Sequence, residues 1–207
     1  MPRLIAPIAA VTVLAFVGAI WFMTQRGPGA GQFAQCQGGV VAGDGNTIGG
    51  PFELVNARGE TVTDKDVITE PSLIYFGFTF CPDVCHMDNA RNADAVDLLA
   101  EQGLSATPVF ISIDPERDTP EVMGEYTSYL HDKMIGLTGS LEQTDAASKA
   151  YRTYYRKQDS DDPEFYNVDH STFTYLVLPE HGFVDFFRRD ASAEQMAERT
   201  ACYIENA

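Results

Sequence analysis

The sequence predicts a layered α/β domain with a central sheet, set behind an apolar N-terminal segment. Three features carry this expectation. Short apolar runs of strand type alternate with longer stretches of helical pattern. Two helices open on Ser-x-x-Gln capping boxes and another on Thr-Pro. The stretch Ser72 to Met87, SLIYFGFTFCPDVCHM, hands a buried strand over to a helix through a turn that holds two cysteines.

The chain has 207 residues, room for a membrane anchor and one domain with a real core. Leu4 to Met23 carries no charge and is long enough to span a bilayer. Arg3 precedes the run and Arg26 follows it, so the positive-inside signal is weak. The run is long for a signal-peptide core and ends in Trp21-Phe22-Met23 without a small-x-small cleavage site. An uncleaved anchor over 1–26 is therefore expected, with the domain across the membrane. Residues 27–47 are rich in glycine and read as a tether, and 48–207 as the domain. With no presequence before the anchor, the expected location is a bacterial inner membrane with the domain in the periplasm, ahead of a mitochondrial inner membrane.

The elements of the domain follow in order. Phe52 to Val55, Asn56-Ala57-Arg58-Gly59 and Glu60 to Thr63 read as a β-hairpin. Leu73 to Phe78 is a buried strand, and a turn over Thr79 to Asp83 enters a helix near Val84 and Cys85 that runs to about Gln102, where Gly103 can end it. Val109 to Ile113 is an apolar run of the parallel-strand kind. Thr119-Pro120 caps a helix to about His131. Ser140 and Gln143 box the start of a helix expected to reach about Lys157, and Gln158 to Pro163 is a polar, acidic loop. Phe173 to Leu178 and Phe183 to Arg188 form a second hairpin around Pro179 to Gly182, and Ser192 with Gln195 starts the last helix. A cysteine pair on the turn after the first core strand is the thioredoxin-like arrangement, here spaced C-x-x-x-C instead of C-x-x-C. The extra residue leaves room for a metal ion.

The net charge of −16 argues against nucleic-acid binding and suits a solvated acidic surface. Of four cysteines, Cys81 and Cys85 sit where unpaired helix N–H groups and the macrodipole favour a thiolate, the form that attacks disulfides and binds metals. Two inert buried cysteines are the plain alternative, disfavoured by the Pro, Asp and strand-to-helix switch around them. Cys36 and Cys202, near the two ends of the part beyond the anchor, are candidates for a structural disulfide in an oxidising compartment. Four histidines are candidate third ligands. His131 is expected near a helix end and exposed, and His181 in a turn. His170, after Val168-Asp169, stands just before a strand that can pass beside the cysteine turn. A lone histidine there is more often a capping or surface residue, and spacing leaves that open. Two thiolates and an imidazole would form a soft site suited to Cu(I) and able to hold Cu(II).

From about Ile48 to Ile204 the chain resembles the Sco family, also called SenC or PrrC in bacteria. The resemblance is carried by Gly49-Gly50-Pro51-Phe52, by Tyr75 to Cys85 (YFGFTFCPDVC), by Ser112 to Pro120 (SIDPERDTP), by Leu137-Thr138-Gly139 and by Val168-Asp169-His170-Ser171. Members are membrane-anchored, thioredoxin-fold copper proteins linked to assembly of cytochrome c oxidase. The resemblance implies that Cys81, Cys85 and His170 are the copper ligands. It departs in one place: the family commonly has Pro after the second cysteine, where this chain has His86. A fourth nitrogen ligand and an exposed first-turn histidine both fit, and the second is preferred because adjacent helical side chains point apart. Asp169 is a candidate to orient the His170 ring, unless its side chain points away.

The function implied is a membrane-anchored copper metallochaperone that takes up Cu(I) and Cu(II) and helps pass copper to the dinuclear copper site of cytochrome c oxidase. Its partners would be the copper-site subunit of the oxidase, a copper chaperone as donor and a thiol reductant. The alternatives are a thiol-disulfide reductase acting through Cys81 and Cys85 on the oxidase cysteines, or a redox or copper sensor. A peroxidase on the same fold is weaker, because it requires a single activated cysteine in a peroxide pocket.

Overall fold

The computed structural model describes residues 32–37, 48–162 and 165–207. Two compact units divide the chain, Met1–Cys36 and Gln37–Ala207. In the first, the described residues 32–36 form a turn. The expected anchor over 1–26 and most of the tether over 27–47 lie outside the described residues. Among those that are described, no helix is long and apolar enough to cross a membrane.

The second unit holds an α/β fold around one seven-stranded sheet. Its elements are β1 (Glu53–Asn56), β2 (Thr61–Thr63), α1 (Asp64–Val67), β3 (Ser72–Gly77), α2 (Val84–Glu101), β4 (Thr107–Ser112), α3 (Pro120–Leu130), β5 (Ile135–Thr138), α4 (Leu141–Ala150), β6 (Tyr155–Lys157), β7 (Val168–His170), β8 (Thr174–Leu178), β9 (Gly182–Phe187) and α5 (Ala193–Glu205). The sheet order is β2-β1-β5-β4-β3-β8-β9. β3, β4 and β5 run parallel, and the hairpins β1–β2 and β8–β9 flank them antiparallel. β3 is an interior strand between β4 and β8, and its Leu73, Ile74, Tyr75 and Phe76 are all buried, as a strand covered on both faces requires.

The expected starts hold up. Thr119 Oγ1 accepts from the Val122 N–H, and both Ser-x-x-Gln boxes close reciprocally at Ser140 and Ser192. Gly103, at φ 77°, ends α2 in the left-handed region as expected.

Three departures matter. The helix expected to reach Lys157 stops at Ala150. Tyr151 turns into the core against Phe76 and Tyr175, at ring distances of 5.4 and 5.5 Å, and Arg152 takes a left-handed φ of 52°. Tyr155–Lys157 then leaves as a strand to pair with Val168–His170 in a separate two-stranded sheet. The sequence reading also passed over β5, whose four residues IGLT are defined by pairing with β4 and β1. The third departure is the single-turn helix α1, also passed over, boxed by Thr63 and Asp66.

Candidate metal centre

Cys81 lies in the turn between β3 and α2, and Cys85 on the first turn of α2. No side chain caps that helix at Asp83. Instead the Cys85 N–H donates to Cys81 Sγ at 3.4 Å, so the sulfur takes one of the unpaired donors of the helix start. The turn is pinned from the next loop. Asp118, fully buried, accepts from the Thr79 N–H at 3.1 Å, from Thr79 Oγ1 at 2.5 Å and from Ser112 Oγ at 2.6 Å. Burial raises its carboxyl pKa, and these hydrogen bonds oppose that rise.

His170 ends β7, paired with Tyr155. Its ring stands edge-on to Phe78 at 5.8 Å and to Tyr75 at 6.2 Å. Nδ1 lies 2.8 Å from the Ser171 carbonyl, which can only accept, so Nδ1 carries the proton. Nε2 then faces Cys85 Sγ at 3.4 Å. The two sulfurs and the imidazole nitrogen all lie within 4.8 Å of one another, the one such group of three among the described residues.

The two thiols differ. The Cys81 pKa falls well below the usual thiol value. The Cys85 thiol beside it is the main cause, and His170 and the backbone N–H groups of Asp83 and Cys85 help. Cys85 is pushed up, first by its hydrogen bond with Cys81 and then by burial. The site thus sets a half-buried Cys81 biased to thiolate and a buried Cys85 that keeps its proton beside one imidazole nitrogen. Losing that proton would leave two thiolates and a nitrogen, a donor set that fits a thiophilic ion. Both residues are free cysteines, whereas Cys36 and Cys202 are each disulfide-bonded.

Other site residues fall as follows. His86 is exposed and rests near the Tyr126 and Tyr129 rings at 6.4 and 6.3 Å, outside the ligand group. His181 is an exposed turn residue, as read. His131 is a correction: only 15% exposed, its Nε2 lies 3.1 Å from Asp97 Oδ1. Asp169 does not hold the His170 ring. It accepts from Gln158 Nε2 at 2.7 Å and faces Arg156, because successive residues of a strand point to opposite faces. The Ser171 carbonyl orients the imidazole instead.

The sequence reading gave no role to Asp118, Arg117 or Tyr75. The first two stand in the SIDPERDTP stretch, and a buried aspartate facing a Thr is not visible from spacing. Tyr75 donates its hydroxyl to Asp88 at 3.0 Å behind Cys85, and Asp88 is paired with Arg91 at 3.2 Å and Arg189 at 3.4 Å.

Comparison with known proteins gives a consistent result. The family model SCO1/SenC matches residues 41–205. Protein SenC of Rhodobacter capsulatus is 50% identical over 202 residues, covering 98% of this chain and 89% of that protein. The mitochondrial SCO1 homolog of Homo sapiens is 41% identical over 159 residues, covering 76% of this chain and 53% of that protein. The crystal structure of Arabidopsis thaliana ScoI with copper bound superposes with a TM-score of 0.73 at 40% identity, covering 77% of this chain and 99% of that one.

Proposed function

This chain belongs to the SCO1/SenC family, and we propose that it binds copper through Cys81, Cys85 and His170 and serves assembly of the dinuclear copper site of cytochrome c oxidase. The observation that carries the reading is the convergence of two sulfurs and one imidazole nitrogen within 4.8 Å, with Cys81 already biased to thiolate. Copper is the cargo. Cu(I) is served by the two soft sulfurs, and Cu(II), being harder, gains more from the imidazole. The half-buried position of Cys81 leaves the pair open to a donor and an acceptor protein. The relative solved with copper supports this reading. The setting proposed is a single anchor over 1–26 in a bacterial inner membrane, with the domain in the periplasm and a copper chaperone upstream.

The asymmetry of the two thiols favours a second reading that uses the same residues. Cys81 thiolate attacks one sulfur of a disulfide in the oxidase copper-site subunit, and the target's other sulfur leaves as thiolate. Cys85, deprotonated as it reacts, then attacks Cys81 in the mixed disulfide. The target is released as a dithiol, and Cys81–Cys85 is left as the disulfide for an external dithiol to reduce.

His170 separates the two readings. Each copper oxidation state is titrated into wild type, Cys81→Ser, Cys85→Ser and His170→Ala. The expected result is loss of both states in the cysteine variants, and in His170→Ala a much larger loss of Cu(II) than of Cu(I). A His170→Ala protein that binds Cu(II) as tightly as wild type, with the same absorption spectrum, would remove His170 from the site and put the reductase reading first.

A further inference from the structure

The third candidate ligand stands on a ribbon that is packed against the core but not hydrogen-bonded into the main sheet. β6 and β7 form a two-stranded sheet of their own, with no backbone ladder to the seven-stranded one. Residues 171–173 connect His170 directly to β8, so that end of the ribbon is fixed by the chain. At the other end Val168 and Tyr166 are buried in the core, and the segment entering β7 also has a polar attachment.

Arg117 supplies it. Its Nη1 donates to the Tyr166 carbonyl at 3.1 Å, and its Nε donates to Asp114 Oδ2 at 2.5 Å. The Tyr166 hydroxyl donates to the other oxygen of Asp114 at 2.6 Å, closing a ring of contacts. The guanidinium lies over the Tyr166 ring at 3.6 Å from its centroid. The same guanidinium is 5.6 Å from the Phe78 ring and 4.9 Å from the Phe80 ring, the two aromatics that flank Thr79 just before Cys81. One largely buried side chain, 12% exposed, thus touches both the arm that carries Cys81 and the arm that carries His170. Lys157, over the Tyr166 ring at 3.8 Å and paired with Glu116, adds a weaker, more exposed contact.

We propose that Arg117 is a positioning residue that sets the spacing between the His170 imidazole and the Cys81–Cys85 pair. A planar fork can bond Asp114 and the Tyr166 carbonyl while stacking on aromatic faces, which an ammonium cannot reproduce. Losing it loosens the ribbon's far end and lets the imidazole drift from the sulfurs, while the sulfurs, held by β3 and α2, stay in place. Arg117 therefore acts on the oxidation state that depends on nitrogen. The consequence for copper rests on the function proposed above, whereas the consequence for the ribbon does not.

The test uses Arg117→Lys, which keeps the charge. In metal-free protein, hydrogen exchange is followed at the Ser171 amide, bonded to the Tyr154 carbonyl, and at the Gln158 amide, bonded to the Asn167 carbonyl. The expected result is exchange about tenfold faster at both, with β3 and β4 amides unchanged. In copper-loaded protein, Cu(II) affinity is expected to fall about tenfold, as for other residues that orient ligands, with a shifted thiolate-to-Cu(II) absorption and little change for Cu(I). Tyr166→Phe, which lacks only the hydroxyl bonded to Asp114, is expected to move the same amides by a smaller factor. Unchanged ribbon amides in both variants overturn the proposal. So does acceleration spread evenly over β3, β4 and the ribbon, with Cu(I) and Cu(II) falling together, which marks Arg117 as general scaffolding. A wild type that binds no copper overturns the function proposed above and leaves the exchange result to decide on Arg117.

Discussion

Replacing Gly77 with alanine tests how tightly the floor of the site is packed. Gly77 ends β3 directly beneath Cys85. A Cβ there would lie 2.8 Å from Cys85 Sγ, 2.9 Å from Tyr75 Cε1 and 3.0 Å from Phe110 Cε2. Real Cβ atoms do not approach that closely, so something has to shift. All three neighbours are buried and cannot swing out to solvent: Cys85 is 1% exposed, and Tyr75 and Phe110 are 0% exposed. Overpacking of this kind costs about 1–3 kcal/mol. Against it, alanine restricts the unfolded chain and returns about 0.4–1 kcal/mol. The net loss centres at about 1.3 kcal/mol and reaches about 2.6 kcal/mol, a central fall in Tm of about 3–5 °C for a domain of this size. Gly50→Ala is the control, because its Cβ would meet only Ala150 Cβ at an ordinary 3.5 Å. Thermal unfolding of the reduced, metal-free proteins measures both. The displaced sulfur should also weaken Cu(I) binding, which His170→Ala should largely spare. A Gly77→Ala protein as stable as the Gly50→Ala control, with unchanged Cu(I) binding, would refute the claim that Gly77 is glycine because Cys85 needs the space.

Three further outcomes are expected. Because the Cys81 pKa lies below the usual thiol range and the Cys85 pKa above it, iodoacetamide at acidic to neutral pH should label Cys81 at a rate that barely changes with pH, while Cys85 stays unmodified. Labelling of both that rises in parallel towards alkaline pH would contradict the asymmetry. Asp118→Asn replaces one acceptor oxygen by an amide facing donors, and should cost about 1–3 kcal/mol in urea unfolding. Non-reducing peptide mapping should recover a Cys36–Cys202 linkage, whose reduction lowers stability by about 2–4 kcal/mol, the usual range for a disulfide, and free thiols at both positions would exclude it.

Local physics made much of this protein legible in its sequence. A capping box is satisfied within four residues, so Ser140 and Ser192 announced their helices. A run of buried apolar residues at β3 and a glycine after α2 needed no distant partner to be read. The cysteine pair was legible for the same reason, since four residues across a helix start fix how near two sulfurs can lie. The remaining elements answer to partners far along the chain. IGLT in β5 carries no pattern of its own and is a strand because β4 and β1 offer it backbone partners. The stretch after Ala150 reads as helix until Tyr151 is needed in the core and Tyr155–Lys157 finds Val168–His170 to bond. Resemblance, not spacing, selected His170 among four histidines. Only the fold brings its Nε2 within 3.4 Å of Cys85 across 85 positions, gives its Nδ1 to the Ser171 carbonyl and turns Asp169 to the opposite face. Those choices belong to side-chain direction on a folded-over ribbon, which no local propensity encodes.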